Sequence, residues 1–136
     1  MSPAYFETHF QHEGRDDGWP SKFAIITAYN TTGETWSPER NSAADTDLAA
    51  ELAAMRVWRR QITGYSPSTG HAEPGWAVEL SLNDACDLGL RYTQDAIYYV
   101  TGDKLWVTFC DERRQLVRVG SFAARLHHCR VQSETA

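Results

Sequence analysis

Hydrophobic and polar positions change period several times along the chain, and each change marks an element. Phe23 to Tyr29 reads Phe-Ala-Ile-Ile-Thr-Ala-Tyr, a short apolar run rich in β-branched residues and bounded by turn formers. Such a run predicts a buried central strand. Asn30-Thr31-Thr32-Gly33-Glu34 follows as a loop. Ser37-Pro38-Glu39 is the clearest helix start: Ser37 can cap, Pro38 suits the first helical position, and Glu39 complements the positive end of the helix dipole. The helix is expected to run to about Met55, with Ala44, Leu48, Leu52 and Met55 at helical spacing on its buried face. Asn41 lies three residues before Ala44, shares that face, and needs a partner there.

Beyond this helix, Val57 to Gly64 predicts a second strand with imperfect alternation, and the Ser-, Pro- and Gly-rich stretch from Ser66 to Gly75 predicts a loop. Trp76 to Leu82 alternates clearly, with Trp76, Val78, Leu80 and Leu82 on one face and Ala77, Glu79 and Ser81 on the other. Asn83 is expected to cap a second helix, Asp84 to about Thr93, with Ala85, Leu88 and Tyr92 inward. Ala96 to Val100, Leu105 to Cys110 and Gln115 to Val119 predict three further strands, joined by turns at Thr101-Gly102-Asp103-Lys104 and Asp111-Glu112-Arg113-Arg114. Residues 121–131 predict a closing helix, residues 1–21 an N-terminal arm or short helix, and residues 132–136 a frayed tail. The order is strand, helix, two strands, helix, three strands. It predicts a single domain, 1–136, of the α+β class: one mostly antiparallel sheet with two to three helices packed on one face.

Composition narrows the partners. With 42% hydrophobic and 23% charged residues, the 136-residue chain has a globular balance and enough length to bury a core. The net charge of −5 is uneven: up to Cys110 there are 15 acidic and 8 basic residues, and from Asp111 onward 3 acidic and 5 basic. That distribution lacks the basic footprint of a duplex-binding protein, which disfavours nucleic acid as a partner. The basic residues are mostly arginine, which suits surface ion pairing or the recognition of planar anions. Cys86, Cys110 and Cys129 are odd in number with no Cys-x-x-Cys pair, which argues against a disulfide framework and a structural zinc site. No secretory signal and no membrane-length apolar run are visible, so the cytoplasm is the default location and no membrane contact is expected.

The most suggestive chemistry lies at Thr27-Ala28-Tyr29-Asn30, where a strand end leads toward a capped helix. Strand ends facing helix N-termini form ligand sites because free amides and the dipole point there. Asn30 and Asn41 could meet at that point, or Asn30 could cap the loop while Asn41 bonds the strand-end backbone. Glu79 faces away from Trp76, Val78 and Leu80; it is either a buried carboxylate needing amide or Arg partners, or a solvated strand residue. Gln94 offers donor and acceptor to a planar amide or base edge, or serves as a helix C-cap neighbour. His9 and His12 precede Glu13, and His127-His128 precede Cys129, but adjacent side chains point apart and two histidines make a weak metal site, so no metal is assigned. His71 lies in a loop with no visible orienter. Gly-x-Ser-x-Gly, P-loop and Gly-x-Gly-x-x-Gly patterns are absent, and no nucleophile has a base at diagnostic spacing.

Ile26-Thr27-Ala28-Tyr29-Asn30 resembles a segment of an uncharacterised bacterial family, domain of unknown function 3293, whose members carry Ile-Thr-Ala-aromatic-Asn early in the chain. Asn41, then Trp76 with Glu79 and Ser81, then Tyr92-Thr93-Gln94-Asp95-Ala96-Ile97-Tyr98 agree with it in order, so the resemblance covers roughly residues 22–110. The family motif usually ends Asn-Pro, where this chain has Asn30-Thr31; a Gly-Gln-Asn-like segment stands here as Thr93-Gln94-Asp95. The resemblance implies no activity, because the family has none assigned. It does pick out Thr27, Asn30, Asn41, Glu79 and Gln94.

Three functions compete. The first is binding of a small polar or nucleotide-like ligand by Thr27, Tyr29, Asn30, Asn41, Trp76, Glu79 and Gln94, with Tyr29 or Trp76 stacking and no cofactor. The second is a protein-interaction module, such as a small acidic inhibitor or a phage-related accessory protein, which would present a contiguous aromatic patch. The third is a hydrolase or nuclease-like enzyme with Glu79 as general base. Without a nucleophile, acid or metal cluster, the residues favour a binding domain over an enzyme.

Overall fold

The computed structural model describes residues 1–14, 18–29 and 35–128. Eight strands are formed: β1 (His9–His12), β2 (Lys22–Ile26), β3 (Arg59–Tyr65), β4 (Ala72–Val78), β5 (Ala96–Thr101), β6 (Lys104–Phe109), β7 (Val117–Ser121) and β8 (Leu126–His128). Three helices accompany them, α1 (Pro38–Met55), α2 (Leu82–Arg91) and α3 (Phe122–Arg125), and a 3-10 turn spans Pro3–Phe6. All eight strands join one sheet in the order β7-β6-β5-β2-β4-β3-β1-β8. Among the described residues only the β1–β8 pair is parallel. The chain is therefore an α+β fold built on one mostly antiparallel sheet. Among the described residues no helix is long and apolar enough to cross a membrane.

The sheet cannot be flat. β7 and β8 are its opposite edges, yet only the four residues of α3 separate them. Such a link reaches less than about 20 Å, whereas the edge strands of a flat eight-stranded sheet lie about 34 Å apart. The sheet curls until its edges approach. The seam is fastened by Arg125, whose Nη1 donates to the carbonyl oxygens of Phe6 at 2.8 Å and Thr8 at 3.1 Å. Asp103, in the β5–β6 turn, accepts from Ala123 N at 2.7 Å and also accepts from Ser121 Oγ.

Curling gives the sheet two buried faces. The outer face carries α1 and α2: Leu48, Leu52, Ala85 and Leu88 pack on Ala24, Ile26, Val78, Ile97 and Tyr99. The inner face closes on itself around Phe10, Phe23, Ile25, Ile62, Tyr98, Val100, Leu105, Val107 and Phe122. Consecutive residues of β2 alternate between the two cores, so all of Phe23 to Ile26 must be apolar. This is the physical origin of the continuous run in the sequence.

Local signals set the helix ends. Ser37 Oγ accepts from Arg40 N at 3.1 Å with Pro38 at the first helical position, as expected, and α1 stops where Arg56 turns left-handed at φ 57°. That stop leaves Met55 exposed, so it does not extend the buried face as expected. The second helix begins earlier than Asn83 suggested, because Ser81 Oγ accepts from Asp84 N at 3.2 Å and takes the cap position.

Three segments differ from their sequence reading. The stretch expected to be an N-terminal arm or short helix holds the 3-10 turn and also contributes β1, which pairs with β3 and β8 and buries Phe10 to 1% exposure. The expected loop 66–75 is shorter, since β4 begins at Ala72. Pro74 is tolerated there because β2 ends at Ile26, opposite Trp76, so the strand has a neighbour on one side only at Pro74. The expected closing helix is the four-residue α3 followed by β8. The tail 132–136 lies outside the described residues.

Replacing Phe10 by Ala is expected to cost about 3–5 kcal/mol of stability, measured by chemical denaturation, whereas a residue of a detached arm would change it little. Gly75→Ala would place a Cβ at 2.6 Å from Ile26 O, a backbone atom. Overpacking of this kind is expected to destabilise by about 1–3 kcal/mol.

Candidate functional site

Antiparallel pairing places the C-terminal ends of β2 and β3 beside the N-terminal ends of β1, β4 and β5, all at one end of the curled sheet. A cavity of about 340 Å³ opens there. Its walls are Phe10, Ile25, Ile62 and Tyr98 from the inner core, and its rim carries Tyr5, Thr8, Tyr65, His71, Glu73 and Asp95. Thr27 and Gln94 complete the lining where β2 leaves the sheet and β5 enters it.

Thr27 and Gln94 hold the chain in place at this exit. Thr27 Oγ1 donates to Pro74 O at 2.9 Å and accepts from Tyr29 N at 3.1 Å. Gln94 is 7% exposed, and its Nε2 donates to Tyr29 O at 2.7 Å and Tyr92 O at 3.1 Å. It reaches both because Thr93 adopts a left-handed φ of 57° and turns the chain back after α2, letting Gln94 N donate to Gly89 O at 2.9 Å. Three expected site residues, Thr27, Tyr29 and Gln94, are thus joined by hydrogen bonds. Asn30, the next residue, lies outside the described residues.

The other three candidates sit elsewhere. Asn41 is 9% exposed on the buried face of α1, outside the cavity lining, and its N–H donates to Ser37 O at 3.0 Å. Trp76 packs against the outer core beside Asp45 of α1, whose carboxyl is raised by burial while the nearby Trp76 side chain works against the rise. Glu79 is exposed just beyond the far end of β4, with its N–H on Trp58 O at 3.0 Å. Of its two sequence readings, the solvated one describes its position.

The sequence reading missed several lining residues. His71 Nε2 lies 2.8 Å from Glu73 Oε2, so the histidine has an orienter after all. Residues two apart share a face once the chain is extended, but the stretch read as a loop, which hid the pair. Tyr98 Oη donates to Tyr5 O at 2.8 Å, and burial pushes its phenol well above the ordinary range, so it remains a donor that ties the 3-10 turn over the cavity.

A family model described as a protein of unknown function (DUF3293) matches residues 26–97. The chain belongs to this family. In this DUF3293 chain the matched stretch runs from the end of β2 to the start of β5 and includes Thr27, Tyr65, His71, Glu73, Gln94 and Asp95 of the cavity. Tyr5, Thr8, Phe10 and Tyr98 lie outside it. Comparison with curated proteins and with solved structures finds no match to either.

Two further clusters lie away from the cavity walls. Cys86 and Cys110 are free, buried and in contact with each other beneath α2. At the seam, parallel pairing of β1 and β8 sets His9 Nδ1 2.9 Å from His127 Nε2, with the rings stacked, and His12 edge-on to His128. Neighbouring histidines point apart, and among the described residues no three His, Cys, Asp or Glu are grouped to hold a metal. Burial, then His127, then Arg125 lower the His9 pKa below its ordinary value of 6.5.

Because the folded His9 pKa is depressed, its contribution is present above about pH 6.5 and is lost as pH falls through the folded value. Lowering the pH from about 7.5 to about 5.5 is expected to charge His9 beside His127 and Arg125 and loosen β8. Amide exchange of β8 should quicken on acidification, and the acid-dependent part of that change should shrink in His9→Gln.

Proposed function

We propose that this chain binds a small ligand in the cavity at the end of its curled sheet, and does so in the cytoplasm. The observation that carries the reading is the cavity itself. At about 340 Å³ it falls in the range of small-molecule sites, roughly 300–1,000 Å³. Its walls are mostly apolar, with polar groups gathered at the rim, which is the division of labour such sites use. Phe10, Tyr65 and Tyr98 favour a flat or apolar body, and Thr27, Glu73, Gln94 and Asp95 favour a polar end. Free, buried Cys86 and Cys110 fit a reducing compartment. The exposed position of Glu79, outside the cavity lining, adds nothing to a general-base role.

Native mass spectrometry of freshly purified protein, compared with its denatured mass, is expected to show a retained small-molecule adduct or a shift with added aromatic fragments. Ala4 is exposed at the cavity mouth, so Ala4→Trp should narrow it without disturbing the core. Fragments should then perturb the NMR signals of Tyr65, Tyr98 and Gln94 in the native chain and lose that effect in Ala4→Trp. Equal binding by the blocked variant, or no perturbation of those three residues by any fragment, would overturn the reading.

A further inference from the structure

Resting on that reading, we propose that the ligand of this cavity is an organic cation, an ammonium group on a small apolar body. Charge is the first argument. The carboxylates of the lining belong to Glu73 and Asp95, and among the described residues no Lys or Arg lines the cavity. Two nearby guanidinium groups are already engaged outside it. Arg125 donates to the Phe6 and Thr8 carbonyls, and Arg113, which Asp95 also feels, grips Asp111 through Nε and Nη2. A phosphate or carboxylate entering this space would meet two carboxylates with no described lining Lys or Arg to balance them. That turns the expectation away from nucleotides.

The second argument is the balance of donors and acceptors, and it is independent of net charge. Both donors that Thr27 and Tyr98 could offer are committed inside the protein, to Pro74 O and Tyr5 O. Gln94 is 7% exposed with its amide nitrogen held by two carbonyl oxygens, so the amide cannot flip without losing both bonds. Its Oε1 is left as an acceptor, and among the described residues nothing donates to it. With Nε2 donating to Glu73, a neutral His71 presents Nδ1 as another acceptor. Gln94 and His71 thus present acceptors to the cavity, and their natural complement brings donors. An ammonium group does that, with up to three N–H donors.

The walls supply the third argument. Tyr98 meets Tyr5 edge-to-face at 6.1 Å and Phe10 at 5.3 Å, so the rings stand at steep angles to one another, and Tyr65 faces the cavity from β3. Aromatic faces carry negative quadrupole density and attract cations most strongly where water is excluded. The acidic balance of the first 110 residues adds attraction at longer range.

Three probes of similar shape and different charge test this on the whole chain: phenethylammonium, 2-phenylethanol and phenylacetate, titrated by calorimetry at low salt. Phenethylammonium is expected to bind at least about tenfold more tightly than 2-phenylethanol, with phenylacetate weakest. In Glu73→Gln with Asp95→Asn the cation should lose its advantage over 2-phenylethanol. Asp95→Asn alone, at an exposed position, should reduce the preference if the double variant fails to fold. If 2-phenylethanol or phenylacetate binds as tightly as the cation, the charge assignment is wrong while the cavity stands as a ligand site. If none of the three binds, the ligand reading and this inference fall together.

Discussion

The four-residue connection between β7 and β8 governs the rest of this structure. It joins the two outermost strands of an eight-stranded sheet, and no flat arrangement can satisfy it. The sheet must roll, and rolling converts one of its faces into an enclosed core. Because β2 and β5 then lie between helices on one side and the rolled interior on the other, their side chains are buried in both directions. Arg125 sits where this constraint is greatest. Its guanidinium satisfies two carbonyls of the N-terminal segment that would otherwise face the seam unpaired.

The same roll explains why a cavity exists at one end. Phe10, Phe23 and Phe122 fill the middle of the interior, but strand ends diverge as a sheet coils, and the 3-10 turn that carries Tyr5 borders the space between them. Two lining glycines allow close approach of their neighbours. Gly75 lets β4 pass close to Ile26, and Gly64 leaves room beside Thr8 and Phe10. The polar groups around the opening do structural work first: Thr27 and Gln94 position the backbone that leaves β2, and Tyr98 anchors the turn above it. What they leave unused is acceptor capacity.

How far the sequence could be read follows from the range of the interactions involved. The α1 helix was legible because a cap, a proline and a helical repeat all act within a turn or two. The β2 strand was legible because burial on both faces leaves no polar interruption, and the β5–β6 turn because Gly102 takes a φ of 63°. The β1 and β8 strands were not. Four residues of His-Phe-Gln-His and three of Leu-His-His carry too short a pattern, and their pairing depends on chain segments more than a hundred residues apart. Pro74 hid the start of β4, whose exemption from the usual rule depends on where β2 stops. At the site, Thr27 and Gln94 stood out as polar residues at the ends of apolar elements. Tyr5, Tyr65 and the His71–Glu73 pair did not, since only the roll of the sheet brings them to one place.

The parallel β1–β8 ladder also sets the timetable of folding. During synthesis β1 leaves the ribosome before its β3 partner, which follows about fifty residues later, and β8 emerges only after residue 126. Local hairpins such as β5–β6 can form early, but closing the roll requires the longest loop in the chain and carries the largest entropic penalty. Until that step, Phe10 and Phe122 have no settled core, and the β1 edge offers its unpaired amides to any passing strand. For this protein the vulnerable interval is the one between the first strand and the last, and nascent chains halted before α3 are the form most exposed to aggregation.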